Sequence, residues 1–135
     1  MKKIIVLAVL FCGIAMSATA QTAKAQWVTI ATPNLKCWEC KKLLDDYLNK
    51  VNGVQFEKGL IQWKFNLMKG EVRIQYWPDR ANPNAIKTAI ANGGFDADEI
   101  KATEVAYKTL PPACKRADEG GGPKKGKPCH MEPQK

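Results

Sequence analysis

Histidine and serine are almost missing from this 135-residue chain: His130 is the single histidine and Ser17 the single serine. Ser17 falls in a stretch that reads as removable, and His130 lies near the end of the chain. The nucleophile–base pairs of hydrolases therefore have no candidates. No two carboxylates stand at a spacing that suggests paired acid–base work either, so the sequence predicts no enzyme. A long apolar run is also lacking. The one run present, Ile4 to about Met16, is too short and wrongly flanked for a spanning helix. With Lys2 and Lys3 before it and small Ala18 and Ala20 after it, it has the anatomy of a secretory signal peptide over residues 1–20. Cleavage follows Ala20, or Ala25 if Ala23-Lys24-Ala25 is taken as the site. Cys12 follows bulky Leu10 and Phe11, which do not suit a lipid-attachment signal, and it is discarded with the leader. The expectation is export, to the periplasm, with no stable membrane insertion after cleavage.

About 110 residues remain, enough for one modest domain with its own core. The full chain carries a formal charge of +8. Removal of Lys2 and Lys3 leaves nineteen basic against thirteen acidic residues. An excess of this size suits a solvated basic surface able to meet an acidic partner. Export argues against nucleic acid as that partner.

Alternation at Gln26–Ala31 predicts a half-buried strand, with Val28 and Ile30 on one face. Pro33 stops it. From Cys37 to Val51 the apolar spacing is helical: Leu44, Leu48 and Val51 share a face with Cys40, Leu43 and Tyr47. Asn52-Gly53 ends that helix, with Gly53 suited to a left-handed cap. Two alternating runs follow, GLIQWKFNL with Ile61, Trp63, Phe65 and Leu67 inward, and EVRIQYW with Val72, Ile74 and Tyr76 inward. Met68-Lys69-Gly70 between them makes an antiparallel hairpin with one wet face. Asn82 and Pro83 open a second helix, to Asn92, as cap and first-turn proline. Gly93-Gly94 closes it. A short fourth strand is expected around 97–102, then a short helix capped by Thr103 and ended by Pro111-Pro112. The order βαββαβ predicts an α+β, ferredoxin-like sandwich: an antiparallel four-stranded sheet with two helices on one face. Residues 104–114 form a short helical extension. Residues 115–135, with three consecutive glycines, scattered lysines and prolines and Met131 as the one large apolar side chain, are expected to be a disordered basic tail.

Four cysteines survive the leader: Cys37, Cys40, Cys114 and Cys129. Outside the cytoplasm an even number first suggests two disulfides. Cys37 and Cys40, however, fall in the loop from the first strand into the first helix. There the unpaired backbone N–H groups and the positive end of the helix dipole favour thiolate over thiol. Lys36, Lys41 and Lys42 add positive charge. Two thiolates on one tight loop suit a soft ion, Cu(I) first, with Hg(II), Zn(II) or Cd(II) as alternatives.

With these elements in place the chain resembles the heavy-metal-associated domains of copper chaperones, metal-pumping ATPases and periplasmic mercury-binding proteins. Their signature, roughly G-M-T-C-x-x-C, is matched by N-L-K-C-W-E-C at 34–40. Gly53-Val54 matches the family's G-V, and Gly94-Phe95-Asp96-Ala97 its G-F-D-A. The resemblance covers about residues 27–103. It implies metal ligands at Cys37 and Cys40, with Leu35 in the place of a methionine that packs under the loop. It also implies that Phe95 lies beside the site. Trp38-Glu39 is bulkier and more charged than the family's usual pair, and the segment from Val54 to Gly70 is longer. Tyr107, Leu110, Pro111 and Cys114 resemble the extension of exported single-domain members, which implies Cys114 as a third thiolate near the pair. A metal-transporting membrane protein, or another thiol-bearing acceptor, is then the implied partner.

Rival readings use the same residues. Cys37 and Cys40 could instead be a simple disulfide oxidised after export, as in a stapled adaptor, or a thiol–disulfide redox module. Cys114 is either a ligand or the disulfide partner of Cys129. Such a loop closes with about 3 kcal/mol of gain. Cys129-His130-Met131 offers soft or borderline ligands on the tail, with Cys129 and His130 as the candidate pair. Trp63, Phe65 and Tyr76 are expected in the core, with Trp27, Trp38 and Trp77 at the surface and Trp38 shielding the cysteine loop.

Overall fold

The structure, a computed structural model, describes residues 23–134. The leader expected over 1–20, and Cys12 within it, lie outside the described residues. No helix among the described residues is long and apolar enough to cross a membrane.

Strand β1 (Gln26–Ala31) leads into helix α1 (Trp38–Val54), followed by β2 (Leu60–Asn66), β3 (Glu71–Tyr76), helix α2 (Pro83–Asn92) and a short helix α3 (Glu104–Lys108). The three strands form one antiparallel sheet in the order β1-β3-β2. Ile30 pairs with Val72 and Val28 with Ile74 across β1 and β3. Phe65 pairs with Val72 and Trp63 with Ile74 across β2 and β3. Their apolar sides meet Leu44, Leu48, Ile86, Ala89 and Ile90 of the two long helices in one core, with Leu35 and Phe95 also inside. Thr29, Arg73 and Lys64 line the opposite, exposed side. Both long helices therefore cover the same side of the sheet, as the order of elements predicts.

Local signals explain most of the boundaries. The Asn82 side chain accepts the Ala85 N–H at 2.9 Å, with Pro83 at the first helical position. The hairpin turn closes on Gly70, whose φ of +66° suits glycine and whose N–H reaches the Asn66 carbonyl at 2.8 Å.

Several expectations need correction. The anticipated fourth strand at 97–102 is not formed: this segment makes a single bridge, Ala97 to Ile100, and its hydrogen bonds to the sheet run between Asp98 and Ala31. Asp96, Asp98 and Glu99 are poor strand residues, and Asp98 sits at positive φ. The sheet therefore has three strands. Helix α1 runs through Gly53 to Val54, and the left-handed conformation falls instead on Glu57 and Lys58. This places Phe56 in the core, where it is buried. A bulge between Leu60 and Gln62 turns Ile61 outward, so Leu60, not Ile61, joins Trp63 on the inner side. Leu43 is exposed as well. Thr103 precedes α3 without a side-chain cap bond. In the segment expected to be a disordered tail, Ala117–Glu119 make a 3-10 turn, residues 123–128 are exposed, and Cys129 is joined to Cys37. Composition could not anticipate that attachment, because it rests on one disulfide, Cys37–Cys129, to a residue far along the chain.

Candidate functional site

The loop joining β1 to α1 is held from three directions. Thr32 donates its N–H to the Gly70 carbonyl at 2.7 Å, and Leu35 bonds back to Thr32 at 2.9 Å. Asn34 is buried and does the most. Its side-chain amide donates to the Cys114 carbonyl at 2.9 Å and to the Gly94 carbonyl at 3.4 Å, while its carbonyl oxygen accepts the Asp96 N–H at 3.0 Å. One side chain thus ties the cysteine loop, the Gly94-Phe95-Asp96-Ala97 turn and the C-terminal extension together. Gly94 has φ +98°, and a Cβ there would meet the Ala106 carbonyl at 3.0 Å, so the turn needs glycine.

Cys37 is the N-cap of α1 in extended conformation, and Cys40 is in the first turn. Both are buried. Neither bonds the other. Cys37 is joined to Cys129 with Cα atoms 4.6 Å apart, and Cys40 to Cys114 with Cα atoms 5.5 Å apart. The pairings raised as alternatives from the sequence, Cys37 with Cys40 and Cys114 with Cys129, are not the ones formed. The physical reason lies in the extension. A 3-10 turn at Pro112–Cys114 delivers Cys114 to α1, and the tail then returns so that the Cys129 carbonyl accepts the free Trp38 N–H of the helix start. All four cysteines among the described residues meet at one helix N-terminus.

Leu35 and Phe95 are fully buried beneath this region. Trp38 is partly buried and lines the groove beside Cys37–Cys129 together with Met131. Lys36 turns away from the sulfurs to the Met68 carbonyl at 3.5 Å. His130 is exposed. Among the described residues, no group of three or more His, Cys, Asp or Glu side chains is arranged to hold a metal ion.

A second cluster anchors the extension. Arg116 makes two 2.7 Å hydrogen bonds to the carboxylate of Asp96, which is 2% exposed. Its guanidinium stacks over the Tyr107 ring at 4.1 Å. Tyr107 accepts the Arg116 N–H through its hydroxyl at 2.8 Å and donates to Glu119 at 2.6 Å. The Arg116 bonds hold the Asp96 carboxyl below its ordinary range, burial opposes this, and the Ala102 N–H assists. Glu119 is likewise lowered, first by the Tyr107 hydroxyl and then by Arg116. The sequence marked Asn34 and Asp96 only as members of motifs and did not single out Arg116. The signal for Asn34 was weak: an asparagine in a proline loop ordinarily reads as a turn residue.

No family model and no curated protein matches this chain. Among solved structures it is similar to oxidised MerP from Ralstonia metallidurans CH34, with 16% identity and a TM-score of 0.47, over 56% of this chain and 96% of that one. It is similar also to a CopZ metallochaperone, with 24% identity and a TM-score of 0.45, over 53% of this chain and 98% of that one. A third is the putative copper-ion-binding protein of Bacillus anthracis str. Ames, with 18% identity and a TM-score of 0.47, over 56% of this chain and 99% of that one. At such identity and superposition these likenesses assign no function.

Proposed function

We propose that the reduced protein binds a soft heavy-metal ion, Cu(I) in first place, through the thiolates of Cys37 and Cys40. It then carries the ion in the periplasm to a thiol-bearing acceptor. The supporting observation is the meeting of all four cysteines at the N-terminus of α1. A helix start stabilises sulfur anions, and soft monovalent copper accepts two or three of them. Cys114, kept near Cys40 by Asn34, is the third ligand. Hg(II), Zn(II) and Cd(II) fit the same sulfur set less selectively. Transfer proceeds by exchange of one thiolate at a time, and the positively charged surface assists docking to an acidic acceptor. Cys129 and His130 lie outside the minimal ligand set.

Both disulfides must be reduced before such binding, so the oxidised chain is the closed form. A second reading, a thiol–disulfide redox module, draws support from Cys129, which is only partly buried while its disulfide partner Cys37 is fully so. Competitive Cu(I) titration of fully reduced protein separates the two. Uptake of one equivalent, lost in the double variant Cys37→Ser, Cys40→Ser and weakened in Cys114→Ser, is expected. Absence of uptake at micromolar free Cu(I), with turnover of a disulfide substrate, would establish the redox module instead.

A further inference from the structure

The two disulfides sit in unlike surroundings. Cys40 and Cys114 are both fully buried. The segment carrying Cys114 is fixed by the Asn34 bond to its carbonyl and by the Asp96–Arg116–Tyr107–Glu119 cluster immediately after it. Cys37 is buried too, but its partner Cys129 is partly exposed. The chain carrying Cys129 follows Gly120, Gly121 and Gly122, and residues 123–128 are all exposed. Among the described residues, the backbone bonds recorded beyond Gly122 are Lys127 to Lys124 and Trp38 to Cys129. One disulfide is therefore walled in and supported, whereas the other closes a thinly held strap.

Partly exposed Cys129 also has a place beside it for a partner. A groove of about 520 Å³ runs along Cys37–Cys129, its walls mainly apolar through Trp38, Ala113, Pro128, Met131 and Pro133, with Glu39 and Glu132 also lining it. An extended, apolar segment bearing a thiol fits such a groove, because its sulfur would then arrive next to Cys129.

We propose that the Cys37–Cys129 disulfide is the entry point for a dithiol protein, and that its exchange lifts the tail beyond Gly120 while Cys40–Cys114 stays closed. The partner's thiolate attacks Sγ of Cys129 and forms a mixed disulfide. The Cys37–Cys129 bond breaks, and Cys37 leaves as a thiolate at the helix N-terminus, a leaving group favoured by the same unpaired N–H groups. The partner's second thiolate then attacks its own sulfur in the mixed disulfide and releases Cys129. Two electrons and two protons pass from the partner's dithiol, which becomes a disulfide, to Cys37 and Cys129. As regulation of the ion-binding pair this rests on the function proposed above; as exchange chemistry it does not.

The full oxidised chain is to be titrated with limiting dithiothreitol, quenched with acid, alkylated and mapped by non-reducing peptide mass spectrometry. A doubly alkylated species labelled at Cys37 and Cys129 is expected first, forming about tenfold or more faster than label at Cys40 and Cys114. Early label at Cys40 and Cys114, or loss of both bridges together at every dithiothreitol level, would overturn the order of opening. Reduced thioredoxin serves as the probe for docking. In Met131→Ser combined with Trp38→Ala, the ratio of the thioredoxin rate to the dithiothreitol rate is expected to fall about tenfold, whereas an unchanged ratio overturns the docking step. Cu(I) titration of fully reduced, unalkylated protein freed of dithiothreitol keeps the readings apart. If the order of opening holds but reduced protein takes up no Cu(I), the function proposed above fails and the exchange site stands.

Discussion

The sheet-and-helix body, residues 26–97, and the C-terminal extension, residues 104–134, are held in place by different forces. In the body, Ile30, Leu44, Leu48, Ile74, Ile86, Ile90 and Phe95 are fully buried in one apolar cluster. At roughly 25 cal/mol per Å² of apolar surface, burial of this kind is the main source of stability and ignores redox state. The extension contributes few core side chains, Tyr107, Leu110 and Cys114 among them. Its attachment comes from two disulfides, a buried carboxylate–guanidinium pair and the Asn34 amide. The packing of the body is thus independent of redox state, whereas part of the attachment of the extension is not.

The comparison is broken most severely by damage to the core. Phe95→Ala is expected to cost about 3–5 kcal/mol, with the same loss in oxidised and reduced protein, by denaturant unfolding monitored through tryptophan fluorescence. Next comes the covalent tie. Cys114→Ala should lower stability of the oxidised protein by about 2–4 kcal/mol and make the amides of 104–119 exchange rapidly, while those of β3 stay protected. Equal deprotection of β3 in hydrogen exchange would show that body and extension are one cooperative unit.

The ion pair gives a smaller effect with a pH signature. Arg116→Met should cost about 1–3 kcal/mol at pH 7, discounted because Arg116 is partly open to solvent and Lys101 also approaches Asp96 at 3.7 Å. The Asp96 carboxyl is held below its ordinary value. Its contribution is therefore fully present above the unfolded carboxylate range, about pH 4, and is lost as pH falls through the lower folded value. Unfolding curves of the parent and the variant should accordingly converge under strongly acidic conditions. The smallest effect belongs to the body: Asn82→Ala should cost about 1 kcal/mol through loss of the cap on α2, by thermal melting, with no change in the order of disulfide opening.

Much of the body was legible in the residues because its signals are local. Val72, Ile74 and Tyr76 alternate as a half-buried strand must, and Asn82-Pro83 marks a helix start whatever surrounds it. The candidate site was legible only as a place: the strand-to-helix position of Cys37 and Cys40 follows from those same local patterns. What escaped depends on neighbours far along the chain. The role of Asn34 becomes visible only when Gly94, Asp96 and Cys114 are brought to it. The bulge at Ile61 and the helix continuing through Gly53 show tertiary packing overriding turn and alternation signals, since Phe56 and Leu60 gain burial that the simpler pattern would deny them.

By itself the sequence determined the βαββα order, the inner sides of β1 and β3, the start of each long helix and the arrival of one cysteine pair at the first of them. Tertiary structure alone decided which sulfur bonds which, because four cysteines allow three pairings that no spacing can rank. It also decided that three strands suffice and that a polar, glycine-rich tail is tied to the domain. Those outcomes depend on long-range closure, where one covalent bond or one buried ion pair outweighs the local preferences of the twenty residues around it.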